Sequence, residues 1–356
     1  MILIGTDEGI YRWFEGAGWP VYHGLQDRAV VGLKSPSPGA FVALDQAGGL
    51  LESSNGGLSW TPVPLPAGAG RATAVALSPT SRSVVVAVKP LAMYRRVIGG
   101  PVSRTVGPAW VGKARSLADG ATALLTSRRV STGPDAEAAR LAGWSPLNAP
   151  PAPRTATGPE VRAMIEVGGA LLAGVGTAGL YRSVDQGRTW TQIEGLPAEV
   201  YMFRAVPGRP GEVWAGTAEG CKLSTDGGQT WADRSSGLEA AKQVRAIAVK
   251  PDDPKVLLAG AAPAPSGEVG SPRGGLGFAL YESTDGGQKW SAVVKKNFPE
   301  ALEYDTINDV AFDPAAPDDI LVALGSGELW ATTNGGAYWG PLARQIRAAR
   351  VLCPTG

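Results

Sequence analysis

Residues 224–231 have the sequence Ser-Thr-Asp-Gly-Gly-Gln-Thr-Trp, and the chain repeats this pattern four more times. Each copy has Ser or Thr first, Asp or Asn third, Gly fifth and Trp eighth. The other copies are Ser-Ser-Asn-Gly-Gly-Leu-Ser-Trp at 53–60, Ser-Val-Asp-Gln-Gly-Arg-Thr-Trp at 183–190, Ser-Thr-Asp-Gly-Gly-Gln-Lys-Trp at 283–290 and Thr-Thr-Asn-Gly-Gly-Ala-Tyr-Trp at 332–339. Repetition at spacings of this size is typical of a protein built from one supersecondary unit.

The pattern predicts a tight turn between two antiparallel strands. The Ser or Thr and Asp or Asn side chains can hydrogen-bond to backbone N–H groups of their own turn, and Gly supplies the positive φ. The Trp ring is expected to pack over the turn. A structural role is therefore assigned to the third and eighth residues of each copy, which are Asn55, Trp60, Asp185, Trp190, Asp226, Trp231, Asp285, Trp290, Asn334 and Trp339.

The sequence around the copy at 283–290 predicts four strands. Short apolar runs at 244–249 and 256–260 are separated by prolines, and residues 280–283 lead into the turn, after which a last strand follows. This order predicts a four-stranded antiparallel meander. The chain also contains 49 Gly, 29 Pro and 11 Trp residues, a mixture that favours an all-β fold rich in turns.

The repeated pattern resembles the Asp-box, or BNR, repeat of sialidase-like β-propellers. The resemblance covers most of the chain and is weakest over residues 89–159. It implies a single β-propeller of four-stranded blades, in which the repeated turns join the third and fourth strands at the rim and are structural. In style the chain is similar to non-enzymatic Asp-box propellers such as photosystem II assembly factors and sortilin-type receptors.

The spacing of the Trp residues predicts the number of blades. The gap between Trp60 and Trp190 is about three times the spacing of the later copies, and Gly99-Gly100 and Gly143-Trp144 fall near the places where turns are expected. A weaker copy ends at Trp19. This spacing favours eight blades, with seven as the alternative if residues 111–144 form an elaborated loop.

Both ends of the chain are predicted to contribute to one blade. Residues 2–5 match the second strands of other blades, and residues 346–352 match the first strands. A blade shared by the two ends would close the ring and remove two exposed sheet edges. Residues 1–356 are accordingly predicted to form one domain, with a loop insertion at 261–277.

The composition excludes several classes of function. A formal net charge of +1 argues against nucleic acid as a partner, because such binding needs a basic surface. Two cysteines and one histidine provide neither a disulfide framework nor a Cys/His metal cluster, so no metal and no cofactor are predicted. No apolar run is long enough to span a bilayer, and the sequence as given begins without a signal peptide. A cytoplasmic protein is therefore expected, or an extracytoplasmic one only if a leader was removed. Ring closure leaves no obvious sheet edge to pair, so a monomer is expected.

Four arginines are predicted to gather at the central channel. They occur in similar local sequences that start an innermost strand, and we call them the arginine arc: Arg162, Arg204, Arg245 and Arg347. Asn308 has the equivalent place in another blade. Guanidinium groups arranged in this way could hold a carboxylate, a phosphate or an acidic protein segment. The alternative is that each arginine pairs with a neighbouring carboxylate.

Two loops predict a binding site on the face opposite the repeated turns. The Pro/Gly/Ser-rich insertion at 261–277 and the long connection at 295–305 both belong to what the eight-blade count makes the seventh blade. The second of these loops contains Glu303, Tyr304 and Asp305, which we add to the candidate ligand-binding residues. Long loops of this kind are often functional, although they are also tolerated as surface insertions.

Two classes of function are consistent with the sequence. The first is a binding or assembly scaffold that engages a protein or an anionic ligand at the central cleft. The alternative is a glycoside hydrolase of the sialidase-like superfamily, for which the resemblance implies an arginine triad, a Tyr paired with Glu, and an Asp acid/base. Pieces such as Tyr201 and Glu199 are present, but the Arg-Ile-Pro signature is absent, and the scaffold is favoured.

Overall fold

The structure is a computed structural model that describes residues 1–14, 20–78, 82–98, 143–151, 159–197, 199–238, 242–262, 278–293, 298, 306–343, 346 and 349–355. Its strands in the first part of the chain are β1 (Ile2–Thr6), β2 (Gly9–Trp13), β3 (Val21–Gly24), β4 (Val30–Ser37), β5 (Ala40–Asp45), β6 (Leu50–Ser53), β7 (Thr61–Val63), β8 (Arg71–Ser78), β9 (Ser83–Lys89), β10 (Ala92–Val97), β11 (Trp144–Leu147), β12 (Val161–Val167), β13 (Ala170–Val175), β14 (Leu180–Ser183) and β15 (Thr191–Ile193).

The strands of the second part continue in the same order. They are β16 (Val200–Ala205), β17 (Val213–Thr217), β18 (Gly220–Ser224), β19 (Ala232–Asp233), β20 (Gln243–Val249), β21 (Leu257–Ala262), β22 (Ala279–Ser283), β23 (Ser291–Ala292), β24 (Ile307–Asp313), β25 (Ala316–Leu324), β26 (Leu329–Thr332), β27 (Gly340–Ala343) and β28 (Val351–Pro354). Among the described residues no helix is long and apolar enough to cross a membrane.

The strands form seven four-stranded antiparallel sheets, which are the blades of a β-propeller. Blade 1 contains β28, β1, β2 and β3 from the inside outward, and blades 2 to 7 take four consecutive strands each, beginning at β4, β8, β12, β16, β20 and β24. These innermost strands contact one another in chain order, and β28 contacts β4. The blades therefore close a ring around a central channel.

The core lies between the blades. Seven clusters of buried apolar side chains fill the seven spaces between neighbouring sheets. Second strands such as β13 and β21 are buried at every residue because a neighbouring blade covers each of their faces. Fourth strands such as β19 are exposed. The continuous apolar runs of the sequence are thus the second strands, and their burial drives blade packing.

The prediction of eight blades is wrong, and the structure has seven. Strand β10 pairs directly with β11, with Arg96 opposite Trp144, so both strands belong to blade 3. Gly99-Gly100 and Gly143-Trp144 are therefore at the two ends of one connection in the sequence rather than in the turns of two separate blades. Trp144 takes the place of the turn Trp, and its Nε1 donates to the Pro64 carbonyl at 2.8 Å. Residues 99–142 lie outside the described residues.

With seven blades, the two candidate loops belong to a different blade from the predicted seventh. The insertion at 261–277 connects β21 to β22 and so belongs to blade 6, and the connection at 295–305 leads from blade 6 to blade 7. Most residues of both loops lie outside the described ranges. The two loops do follow the same blade, but that blade is the sixth of seven.

The closing strand lies later in the chain than the sequence match suggests. Strand β28 pairs antiparallel with β1, with Val351 opposite Gly5 and Cys353 opposite Leu3. The two ends of the chain share blade 1 as expected. The strand, however, consists of Val351–Pro354 rather than residues 346–352.

The repeated turns are held by the hydrogen bonds that their side chains predict. In the copy at 183–190, the Ser183 hydroxyl accepts from the Gly187 N–H at 2.7 Å, and Asp185 Oδ1 accepts from the Thr189 N–H at 2.8 Å. Burial raises the pKa of Asp185, but hydrogen bonds that its carboxylate accepts from Thr189, Ser183 and the Arg188 N–H outweigh burial and bring the pKa to about 2. The carboxylate is therefore part of the turn rather than a free acid.

The repeated turns lie at one end of the blades. The Gly227 N–H donates to the Gly211 carbonyl at 2.9 Å, which joins the turn of blade 5 to the connection between its first and second strands. The Trp190 indole donates to the Asn148 carbonyl of blade 3 at 2.8 Å, so this Trp fastens two blades together. The beginnings of the innermost strands lie at the opposite end.

Candidate functional site

Six innermost strands contain a β-bulge at the same place near their start. In blade 4, for example, Val161 pairs with Val175 and Ala163 with Gly174, so Arg162 is left unpaired between them. A bulge of this kind re-aims the side chain of the extra residue. The six extra residues are Val31, Thr73, Arg162, Tyr201, Arg245 and Asn308.

Arg350 holds the seventh equivalent position, in blade 1. Its N–H donates to the Gly5 carbonyl at 2.8 Å, and the next residue, Val351, pairs with Gly5. The residue that follows each bulge in blades 4, 5 and 6 likewise pairs with a glycine of the second strand. We call these seven residues, the six above and Arg350, the mouth ring.

The structure divides the predicted ligand-binding residues into three groups. Arg162, Arg245 and Asn308 belong to the mouth ring, as their register in the sequence suggests. Arg204 does not, because the bulge of blade 5 is at Tyr201 and Arg204 lies three residues further along β16. The remaining candidates lie outside the described residues: Glu303, Tyr304, Asp305 and Arg347.

Sequence reasoning missed Arg350. The closing strand offered two Arg-containing stretches, and Ile346-Arg347-Ala348 matched the other blades more closely by residue type. Burial identifies Arg350 as the equivalent residue. The residue that precedes it, Ala349, is fully buried, as is Val161, which precedes Arg162. The mouth ring therefore contains three arginines in blades 4, 6 and 1.

Side chains of the mouth ring interact with one another and with one carboxylate. Arg162 Nη1 donates to Glu199 Oε1 at 3.1 Å, and the Tyr201 hydroxyl donates to Glu199 Oε2 at 3.1 Å. The Arg245 guanidinium lies 4.8 Å from the centre of the Tyr201 ring, a cation–π contact. Burial and the hydrogen bond to Glu199 raise the pKa of Tyr201. Glu199 thus orients Arg162, the Tyr201 ring orients Arg245, and both arginines remain exposed to solvent.

Arg350 and Asn308 complete the opposite side of the mouth. Arg350 Nε contacts Asp7 Oδ1, and the Asn308 side-chain amide donates to the Ala349 carbonyl at 2.8 Å. All three mouth arginines line one open cavity of about 440 Å³, together with Tyr201 and Asn308. A ligand entering the channel from this end passes the three guanidinium groups.

A second cavity of about 240 Å³ is lined by the whole mouth ring, including its three arginines, and by residues further along the innermost strands. Its charged lining residues that are not in the mouth ring are Lys34, Arg204 and Asp309. Arg204 Nε donates to the Ile247 carbonyl at 2.8 Å, and its Nη2 lies 3.2 Å from Asp309 Oδ1. Sequence reasoning identified Arg204 but neither Lys34 nor Asp309, because no repeated pattern marks them.

Loop carboxylates that could act in glycoside hydrolysis are dispersed. Asp7 contacts Arg350, and Glu219 lines a separate open cavity near blades 5 and 6. Glu300, Glu303 and Asp305 lie outside the described residues. Within the described part, Glu199 and Asp309 are the carboxylates that line the two channel cavities, and each is hydrogen-bonded to an arginine. Across those same residues no cluster of three or more His, Cys, Asp or Glu side chains could hold a metal ion.

Solved structures with the same fold include an enzyme and a peptide-binding protein. The chain is similar to the GH74 xyloglucanase from Xanthomonas campestris, with a TM-score of 0.59 and 17% identity over 93% of this chain. It is similar to YCF48 bound to D1 peptide, with a TM-score of 0.57 and 13% identity over 95% of this chain. YCF48 from Cyanidioschyzon merolae gives a TM-score of 0.54 and 14% identity over 89% of this chain.

These likenesses show a shared β-propeller fold. The chain spans 46% of the length of the xyloglucanase, but 86% and 85% of the two YCF48 chains. No protein-family model and no curated protein sequence matches the chain.

Proposed function

We propose that the protein is a binding propeller that holds an anionic group of a protein partner at the mouth ring. The observation that carries this proposal is the register-matched placement of Arg162, Arg245 and Arg350 around one open cavity. A guanidinium presents two parallel N–H donors to a carboxylate, which gives both affinity and orientation. Three such groups around one entrance form a receptor for an acidic segment or a terminal carboxylate.

The charge balance of the channel supports an anionic ligand. Its two cavities are lined by five cationic residues, namely the three mouth arginines with Arg204 and Lys34, against two carboxylates, Glu199 and Asp309. The whole chain carries a net charge of only +1, so the positive charge is concentrated locally. A concave site with an excess of one sign concentrates ligands of the opposite sign.

The comparison with YCF48 bound to D1 peptide supports a peptide as the ligand class. A propeller of this fold, of similar length, holds a peptide in that structure. Because identity is only 13%, the comparison supports the type of ligand and gives no residue of the site. Glycoside-acting and peptide-binding proteins share the fold, so the fold alone favours neither, and the three arginines support an anionic ligand.

The test is a titration of an acidic peptide with a free terminal carboxylate against the wild-type protein and a triple variant. Replacing Arg162, Arg245 and Arg350 with Met removes three donors to the anion, and affinity is expected to fall by about a hundredfold or more. Raising the salt concentration is expected to weaken wild-type binding. Calorimetry at two ionic strengths measures both effects.

A charge-matched control comes from the opposite end of the blades. Arg188, Arg209 and Lys255 lie at or beside the repeated turns, and their replacement with Met removes the same charge without touching the channel. Equal affinity of both triple variants for the peptide would overturn the proposal, as would an affinity of the Arg162, Arg245 and Arg350 variant equal to that of the wild type.

A second candidate function is glycoside hydrolysis. The Tyr201 hydroxyl donates to Glu199, a pair of the kind that the sialidase resemblance implies, and the three mouth arginines lie in the same cavity. Burial raises the pKa of Tyr201, however, which disfavours a phenolate nucleophile. Glu199 also accepts from Arg162, so its carboxylate is shared between the Tyr201 hydroxyl and a guanidinium. Release of a fluorophore from a sialoside by the wild type, and its loss in Tyr201→Phe, would favour the enzyme over the scaffold.

A further inference from the structure

We propose a second anion site deeper in the channel, formed by Lys34 and Arg204, that takes a small oxyanion such as phosphate or sulfate. The site shares the channel with the mouth ring but uses different residues and a different class of ligand. It therefore goes beyond the proposed function, and the two can fail independently.

Lys34 and Arg204 lie at the same depth in the channel. In blade 2, β4 has its bulge at Val31 and Lys34 follows three residues later; in blade 5, β16 has its bulge at Tyr201 and Arg204 follows three residues later. Both side chains line the inner cavity. Two cations thus approach the same part of the channel from non-adjacent blades.

The Lys34 ammonium has no counter-charge of its own. Within the described residues it has neither a hydrogen bond nor an ion pair within 4 Å, although it is open to water in the channel. The charged and titratable groups that face it are Arg204 from β16, Asp309 from β24 and Cys353 from β28. Enclosure by the surrounding blades and repulsion from Arg204 lower the pKa of Lys34.

Asp309 already accepts hydrogen bonds from three other donors. Its Oδ1 accepts from Arg204 Nη2 at 3.2 Å and from the Val310 N–H at 2.9 Å, while its Oδ2 accepts from the Leu352 N–H at 2.9 Å. Asp309 is thus the one carboxylate among the groups that face Lys34 and Arg204. The two cations repel each other in the channel, and an anion between them would relieve this repulsion.

Arg204 is held in a fixed orientation that leaves donors for a ligand. Its Nε is bonded to the Ile247 carbonyl and its Nη2 to Asp309, so the guanidinium plane is set. Among the described residues no bond is made by its Nη1. A fixed N–H donor and a mobile ammonium suit an ion with several oxygens. The inner cavity of about 240 Å³ is several times the roughly 30 Å³ occupied by one water.

The experiment compares binding of inorganic phosphate and of sulfate to three proteins by calorimetry: the wild type, Lys34→Met, and the mouth triple variant Arg162→Met, Arg245→Met, Arg350→Met. Lys34→Met is expected to weaken phosphate binding about tenfold or more, because it removes a charged donor. Affinity for the acidic peptide is expected to change far less. The mouth variant is expected to show the reverse pattern.

A second measurement reports on Lys34 directly. Competitive acetylation with acetic anhydride transfers an acetyl group to the neutral amine and releases acetate, so its rate across pH gives the pKa of Lys34. Saturating phosphate is expected to raise this pKa toward that of exposed lysines and to slow labelling at pH 8, since a bound anion stabilises the ammonium. Lys255 serves as an internal reference on the same chain.

The inner site is wrong if phosphate binds Lys34→Met as tightly as the wild type, or if saturating phosphate leaves the Lys34 labelling profile unchanged. In either case a loss of peptide binding in the mouth variant would still support the proposed function. Conversely, phosphate binding that depends on Lys34 in a protein whose mouth variant still binds the peptide supports the inner site and contradicts the proposed function. Thermal unfolding shows that each variant is folded.

Discussion

Arg204 of blade 5 and Asp309 of blade 7 are joined across the central channel, with 3.2 Å between Nη2 and Oδ1. The pair passes over blade 6, whose Ile247 carbonyl accepts from Arg204 Nε. Asp309 also accepts from the Leu352 N–H of the closing strand. One carboxylate and one guanidinium therefore connect blades 5, 6, 7 and 1 at the centre of the ring.

Removal of this carboxylate is expected to destabilise the protein. Asp309→Ala leaves the Arg204 charge and the Leu352 N–H without their partner in an enclosed channel, so the free energy of unfolding should fall by about 3 kcal/mol. Urea denaturation measures the loss. Glu212→Ala, which breaks the exposed pair between Arg209 and Glu212 at 3.2 Å, is the control and should cost less than about 1 kcal/mol. Equal effects of the two variants would contradict a special role for the channel pair.

Blade 3 is held to its two neighbours by consecutive arginines. Arg95 Nη2 lies 3.1 Å from Glu166 of blade 4, and Arg96 Nη1 lies 2.6 Å from Glu52 of blade 2. Adjacent residues of a strand point to opposite faces, which is why one strand can pair with both neighbours. This blade is the one whose third and fourth strands are separated by the long insertion.

Breaking one of these pairs should loosen blade 3. The Arg96 side chain is only 3% exposed, so Glu52→Gln leaves a buried guanidinium with a neutral partner and should cost about 3 kcal/mol in unfolding free energy. Glu160→Gln is the control, because Glu160 pairs with the more exposed Arg71 and Lys89. Calorimetry measures the unfolding of both variants. Equal destabilisation by Glu160→Gln and Glu52→Gln would contradict a special role for the buried pair between Arg96 and Glu52.

Lys34 makes the stability of the protein depend on pH. Because its pKa is lowered on folding, the folded state is penalised for the charge at low pH, and the penalty disappears as the pH rises toward the ordinary lysine value of 10.5. Lys34→Met removes the charge and should therefore be more stable than the wild type at pH 7. The difference between the two proteins in unfolding free energy should shrink as the pH rises toward 10.5. A difference that does not change with pH would be inconsistent with a lowered pKa of Lys34.

The repeated turns add a second dependence of stability on pH, in the acid range. Hydrogen bonds from Thr230, Ser224 and Gln229 outweigh burial and lower the pKa of Asp226 to about 2. The stabilisation by this carboxylate is therefore full above the ordinary pKa of 3.8 and is lost as the pH falls toward 2.

Asp226→Asn separates the charge from the turn geometry. In the copy at 53–60 an Asn takes this position, and Asn55 Oδ1 accepts from the Ser59 N–H at 2.9 Å, so the amide can maintain the turn. The variant should lose about 1 kcal/mol or less at pH 6 and should match the wild type at pH 2. Melting temperatures across this range provide the measurement, and a constant offset between the two proteins would show that the charge has no part in it.

The sequence predicted what repeats and missed what does not. The turn at 183–190 recurs in register, so its residues, its hydrogen bonds and the blades that it joins follow from local chemistry. Blade 3 has no copy of the turn, and its fourth strand begins at Trp144 only because the strand pairs with β10, a contact distant in sequence. Because that pairing is not visible in the sequence, the predicted number of blades was wrong.

The candidate site shows the same division. Arg162 and Arg245 belong to a repeated local pattern and could be identified, whereas Arg204 shares that pattern in letters but not in register, since the bulge of its strand is at Tyr201. Bulges depend on pairing with the second strand and are not visible in one strand alone. Lys34 and Asp309 face Arg204 across the channel, so only closure of the ring brings the three together.

The closing strand provides the last test, because it is the one strand of blade 1 that comes from the other end of the chain. Deleting residues 351–356 removes β28, exposes the backbone edge of β1 and takes from Leu3 and Ile4 the apolar partners that β28 contributes to their clusters. An exposed apolar edge strand promotes pairing with other chains. The truncated protein should unfold at lower temperature and should self-associate, as measured by calorimetry and light scattering. Replacing the same six residues with a detached synthetic peptide of their sequence should partly restore the melting temperature, and a truncated protein that stays monomeric with an unchanged melting temperature would contradict closure by β28.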